Sequence, residues 1–161
     1  MRYILLFGGN KGNVVETFAE AERQLADFAR ITRKSSLYRS EAWGFESDDL
    51  FYNQVVEIES DAEPLAMLEA LQQIERSLGR TSKSVGGHYT SRTIDIDILF
   101  CDSKIIESER LTIPHPMLHK RRFTLLPLCE YWSEYVHPKL QKTVLQLLCE
   151  CDDKGFVEKC S

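Results

Sequence analysis

Between Tyr3 and Phe100 the apolar residues fall into short blocks that alternate between strand spacing and helix spacing, and the order of those blocks narrows the fold more than any other feature. Tyr3 to Phe7 is an apolar run closed by Gly8-Gly9-Asn10, which predicts a buried strand followed by a tight turn. Val14, Phe18, Ala21, Leu25 and Phe28 recur at three- and four-residue steps, one face of an amphipathic helix with Asn13 as its N-cap. Ile31 to Tyr38 reads as a second strand, Glu41 to Asp49 as a loop, and Phe51 to Ile58 as a third strand. Pro64 opens a second helix whose buried face is predicted at Leu65, Leu68, Leu71, Ile74 and Leu78, with Gly79 at its end. Thr81 to Ser91 is polar and glycine-containing, a loop that leads into a fourth strand over Thr93 to Phe100. The isoleucines flanking its aspartates predict a central place in the sheet.

Strand, helix, strand, strand, helix, strand is the split βαβ order: an α+β fold with an antiparallel sheet and two helices on one face. From Lys104 onward an appendage is expected: a hairpin around Ile105 to Ile113, short helices near Phe123 to Cys129 and Val144 to Cys149, and a loosely held tail over Asp152 to Ser161. All 161 residues are expected to form one domain, with a core over 1–138 and a C-terminal helix and tail over 139–161. The net charge of -5 argues against a nucleic-acid or anionic-membrane partner, since both ask for a basic face. Five cysteines without a Cys-x-x-Cys spacing read as reduced thiols, and the short apolar start is no signal sequence or membrane span, so a cytoplasmic location is expected.

The chemistry concentrates around Asp95 and Asp97. Residues i and i+2 of a strand point the same way, with Cβ atoms about 6 to 7 Å apart. Two like charges that close repel, and a hard divalent cation such as Mg2+ relieves the repulsion. Arg92 enters the same strand, and Arg110-Leu111-Thr112-Ile113-Pro114-His115-Pro116 followed by Lys120-Arg121-Arg122-Phe123 supplies further cations and an imidazole on a proline-fixed backbone. Metal ligands plus arginines are the parts that phosphoryl-type transfer needs. Tyr38, Trp43, Phe45, Phe51, Tyr52 and Phe123 can gather around Asn53, an arrangement suited to stacking a flat heteroaromatic ligand while an amide reads its edge. Gly8 to Asn13 matches neither the Walker A pattern nor the dinucleotide fingerprint and reads as a strand-to-helix turn.

Taken together these residues resemble the 6-hydroxymethyl-7,8-dihydropterin pyrophosphokinase family. Arg92-Thr93-Ile94-Asp95-Ile96-Asp97-Ile98-Leu99 looks like its signature, Arg110 to His115 with Arg121 and Phe123 like its second block, and Gly8-Gly9-Asn10, Ser36-Leu37-Tyr38 and Phe51-Tyr52-Asn53 like its turn, strand end and Tyr-Leu-Asn. Tyr89-Thr90-Ser91 stands where the family usually has Trp-Gly-Pro. The resemblance implies a ferredoxin-like βαββαβ sheet with helices packed on it and a C-terminal hairpin and helix extension. It implies transfer of the terminal diphosphate of ATP to the pterin hydroxymethyl group with release of AMP, a step of folate biosynthesis. Asp95 and Asp97 would hold two Mg2+ ions, with Arg80 and Arg92 as further catalytic residues. Gln72, Glu75, Arg80, Arg92, Ile98, Arg110, Thr112, His115 and Arg121 would line the nucleotide site; Ser40, Trp43, Tyr52, Asn53, Asp95 and Phe123 would hold the pterin. A monomer acting on small molecules is expected. The competing expectations are a catalytically inactive pterin or nucleotide binder on the same fold, and an RNA-recognition module, whose aromatic strand motif is missing here.

Overall fold

The computed structural model describes residues 1–9, 13–41, 50–79 and 94–160. Strand β1 (Arg2–Gly9) is buried from Tyr3 onward, and helix α1 (Val14–Leu25) follows it. Asn13 caps that helix, its side chain accepting the Glu16 N–H at 3.2 Å. Strands β2 (Arg30–Lys34), β3 (Tyr38–Glu41) and β4 (Leu50–Glu59) lead to helix α2 (Pro64–Gly79) and strand β5 (Asp95–Cys101). Two hairpins, β6 (Ile106–Glu107) with β7 (Thr112–Ile113) and β8 (Val136–His137) with β9 (Lys142–Thr143), flank helix α3 (Arg122–Leu128). Helix α4 (Val144–Glu150) and strand β10 (Val157–Lys159) close the described chain.

The main sheet runs β10-β3-β4-β1-β5, with β2 also paired to β4, and its pairings are antiparallel. This is the split βαβ order expected from the sequence, with the predicted second strand divided in two. The division falls at Ser35, whose hydroxyl accepts the Val55 N–H at 2.9 Å in place of a ladder carbonyl. One face packs Tyr3, Leu5, Phe7, Val56, Ile58 and Ile96 against α1 and α2. The opposite face packs Ile4, Leu6, Val55 and Phe100 against Leu118, Leu125, Leu128 and α4. The C-terminal third is therefore the second cover of the sheet and no mere appendage. With both faces covered, β1 can be apolar throughout.

Several expectations are corrected. Gly8 and Gly9 belong to β1 and not to the turn after it. Helix α1 ends at Leu25, a turn before Phe28, where Asp27 and Phe28 direct their N–H groups to the Gln24 and Leu25 carbonyls, three residues back instead of four. The buried face of α2 is Pro64, Met67, Leu71, Ile74 and Leu78, whereas Leu65 is exposed and Leu68 half-buried. Both faces have helical spacing, and only the position of the sheet chooses between them. Among the described residues β5 is the last strand of the sheet and not a central one. Its isoleucines are buried because Ile94, Ile96 and Ile98 face the core shared with α2, which Leu111 and Ile113 of the β7 region also enter. The tail is not loose either: β10 pairs with β3, and the Cys160 N–H reaches the Leu37 carbonyl at 2.8 Å. All five cysteines are free.

Candidate active site

Strand register places residues from distant parts of the chain in one lateral row. Asn53 of β4 lies between Tyr38 of β3 and Gly8 of β1, and Gly8 lies beside Asp95 of β5. Laterally paired residues of an antiparallel sheet share a face. This row, like Leu6 beside Asp97, lies on the α3 side of the sheet. Gly8 leaves the row open at its centre: a Cβ there would lie 3.0 Å from both Asn53 Nδ2 and the Phe51 ring. Asn53 is 2% exposed, and its Nδ2 donates to the Phe7 carbonyl at 3.2 Å. Its Oδ1 is buried and has no hydrogen-bond partner among the described residues, an acceptor held ready for an N–H donor.

Asp95 and Asp97 both project from β5 between buried isoleucines, as the period of two requires. The Ile96 N–H between them donates to Glu75 Oε2 of α2 at 2.7 Å, so Glu75 serves the backbone of the very strand that carries the carboxylates. His115 is tied to the same strand by its N–H, which donates to the Leu99 carbonyl at 3.0 Å. Its Nδ1 accepts the Met117 N–H at 3.1 Å, which assigns the imidazole proton to Nε2. That Nε2 stands 3.9 Å from Asp97 Oδ2. Burial lowers the His115 pKa, Asp97 opposes that shift, and the Arg121 cation adds to it, so the ring is neutral at pH 7 and presents Nε2–H as a donor. Arg121 lies with its guanidinium carbon 5.6 Å from the centre of the Phe123 ring. Its buried Nε has no hydrogen-bond partner among the described residues.

The structure thus brings together Asp95, Asp97, His115, Arg121, Phe123, Asn53 and Ser40, the last buried and opposite Phe51. Thr112 is half-buried on β7 and Gln72 half-buried on α2. Arg110 is turned to Glu69 of α2 at 3.3 Å in an exposed pair, which solvent makes weak and easily exchanged. Arg80, Arg92 and Trp43 lie outside the described residues. Two assignments change. Tyr52 packs against the α1 and α2 core, on the opposite face from Asn53, so it cannot share a pocket with that amide. Phe51, two residues before Asn53, is the aromatic on its side of the strand, and the period of two was already visible in Phe51-Tyr52-Asn53. Ile98 is 5% exposed in the same core, leaving only its backbone for a ligand.

Residues 4–133 match the model of 7,8-dihydro-6-hydroxymethylpterin-pyrophosphokinase (HPPK). The chain belongs to the HPPK family. An Aquifex aeolicus HPPK, named 2-amino-4-hydroxy-6-hydroxymethyldihydropteridine pyrophosphokinase, is 33% identical over 149 residues, 92% of this chain and 91% of its own. One from Porphyromonas gingivalis under the same name is 39% identical over 137 residues, 84% of this chain and 92% of its own. Among solved structures, the wild-type HPPK-DHPS of Plasmodium falciparum superposes with a TM-score of 0.73 at 18% identity, over 92% of this chain but 43% of that one, a likeness of fold.

The donor set fits the divalent cation that HPPK chemistry implies. Among the described residues no cluster of three or more histidine, cysteine, aspartate or glutamate side chains is poised to bind metal. Two hard oxygen donors and no soft one suit an ion that keeps water and phosphate oxygens as its other ligands, as Mg2+ does. The orphaned Arg121 Nε, whose guanidinium acts on His115, is a buried donor suited to an anionic oxygen.

Proposed function

We propose that this chain is a diphosphotransferase that moves the terminal diphosphate of ATP onto the hydroxymethyl oxygen of 6-hydroxymethyl-7,8-dihydropterin and releases AMP. The pterin oxygen forms a bond to the β-phosphorus, the bond from that phosphorus to the oxygen bridging the α-phosphate breaks, and the hydroxyl proton is lost. The observation that carries this reading is the lateral row Asn53, Gly8, Asp95: a buried amide for the heterocycle lies across the single intervening strand β1 from a carboxylate pair for the polyphosphate. The pterin would lie over the bare Gly8, between the Phe51 and Phe123 rings and beside Ser40, its edge read by Asn53. Charge at the phosphates would be met by the Arg121 guanidinium and the His115 Nε2–H. Asp95 and Asp97 would hold two Mg2+ ions, which when bound neutralise phosphate charge and polarise the phosphoryl oxygens. Arg80, Arg92, Arg110, Thr112, Gln72 and Glu75 are assigned to the nucleotide and Trp43 to the pterin by their match to the HPPK pattern.

The catalytic unit is proposed to be a cytoplasmic monomer of one domain that binds neither nucleic acid nor membrane, in line with its acidic charge of -5. No helix among the described residues is long and apolar enough to cross a membrane. The test is AMP release from ATP, measured with and without 6-hydroxymethyl-7,8-dihydropterin and Mg2+. AMP should form only with both present, and Asp97→Ala should lower the rate at least about a thousandfold, the several kcal/mol that metal-ion catalysis supplies. Full activity in a folded Asp97→Ala protein would overturn the metal assignment.

A further inference from the structure

Glu130, just past the end of α3, reaches back to the break between β2 and β3. Its carboxylate accepts the Tyr38 hydroxyl at 2.7 Å, the Ser36 N–H through both oxygens at 3.1 Å, and the Ser36 hydroxyl at 3.1 Å. Burial would raise its pKa, but the Tyr38 and Ser36 donors outweigh burial and keep the group ionised. Tyr38 is 7% exposed and stands opposite Asn53, and two residues on Ser40 stands opposite Phe51. The first turn of the same helix carries Phe123. Helix α3 therefore holds the aromatic of one side of the pterin pocket at its start, and at its end the carboxylate that grips the other side. No other described contact joins the β2–β3 break to α3 through a bidentate ionised group.

We propose that Glu130 is a positioning residue for the pterin: it clamps Tyr38 and the start of β3 to α3, and so sets the gap between the Phe51–Asn53 floor and Phe123. The inference rests on the pterin lying over Asn53. A carboxylate suits the task because it accepts from three donors at once, whereas an amide of the same shape must turn one N–H donor toward them. Hydrogen bonds to a charged group are also the stronger kind.

The test compares wild type with Glu130→Gln, Tyr38→Phe and the double variant, reading KM for 6-hydroxymethyl-7,8-dihydropterin, KM for ATP, kcat and melting temperature. Glu130→Gln should raise the pterin KM about tenfold, the loss of a charge-assisted bond, with kcat and the ATP KM within about twofold. Tyr38→Phe should move the pterin KM in the same direction. The double variant should be no worse than Glu130→Gln, because both changes delete one shared bond. A purely structural Glu130 would lower the melting temperature and leave the ratio of the two KM values unchanged, which would overturn the proposal, as would strictly additive effects. Should Glu130→Gln fail to fold, Tyr38→Phe decides: an unchanged pterin KM rejects the clamp. Should wild type release no AMP, the proposed activity fails separately, and fluorescence titration of the pterin against wild type and Tyr38→Phe still measures the clamp.

Discussion

Gly8 shows how much can rest on a missing side chain. A Cβ at that point would press at 3.0 Å on both Asn53 Nδ2 and the Phe51 ring. Gly8→Ala should therefore leave a folded protein, destabilised by about 1–3 kcal/mol from overpacking, whose pterin KM rises about tenfold while its ATP KM holds. Phe51 and Tyr52 give a sharper contrast. Phe51→Leu should raise the pterin KM about fivefold to tenfold through lost stacking, whereas Tyr52→Leu should affect melting temperature alone. Equal effects on KM would place the wrong face of β4 in the pocket. Asp95 and Asp97 were legible in the sequence because both lie on one strand, where backbone geometry alone aligns alternate side chains. The same parity selects Phe51 over Tyr52, and likeness to a tripeptide motif obscured it. His115 was recognisable as a candidate, but its neutral state depends on the Met117 N–H and on burial by residues the sequence does not place.

At the scale of elements, the caps and periods were readable and the partners were not. Asn13 and Pro64 start their helices where local chemistry puts them. The face that α2 buries departs in its first turns from the face that leucine content suggests, because Pro64 and Met67 meet the core where Leu65 and Leu68 were expected, while Leu71, Ile74 and Leu78 are shared. Strand β10 is the clearest addition. It braces the outer edge of β3, the strand that carries Tyr38 and Ser40, and Arg39 pairs across it with Glu158 at 2.8 Å. Ending the chain after Gly155 removes that brace. The expected loss is about 2–4 kcal/mol, from several backbone hydrogen bonds of about 1 kcal/mol each, or roughly 5–10 °C in melting temperature by calorimetry. An unchanged melting temperature would make β10 incidental to the sheet.

For the whole molecule, acid should be the condition that loosens the second cover of the sheet. His137 is 4% exposed, stacks edge-on at 5.8 Å from Phe100, and accepts the Lys139 and Leu140 N–H groups at Nδ1. Burial first, then His119 and Lys139, push its pKa down to about 4. The unfolded chain binds that proton near 6.5, so the contribution is complete above 6.5 and is lost as pH falls through about 4. His119 is shifted in the same direction by burial and Lys120, and the lowered Glu20 and Glu59 add their losses below the ordinary glutamate range. Melting temperature should drop between pH 7.5 and pH 5, and His137→Asn should drop less over that interval. The sequence alone is enough to read the split βαβ order through β5, the aligned carboxylate pair and the likeness to the family, because each is written in spacing along one element or in a short motif. It takes the folded chain to show that Asn53 and Asp95 flank Gly8, that His115 turns to Asp97, that Glu130 grips Tyr38, and that the tail joins the sheet. Those pairings follow from burying both faces of one sheet at once, a condition spread over residues too far apart for any local period to encode.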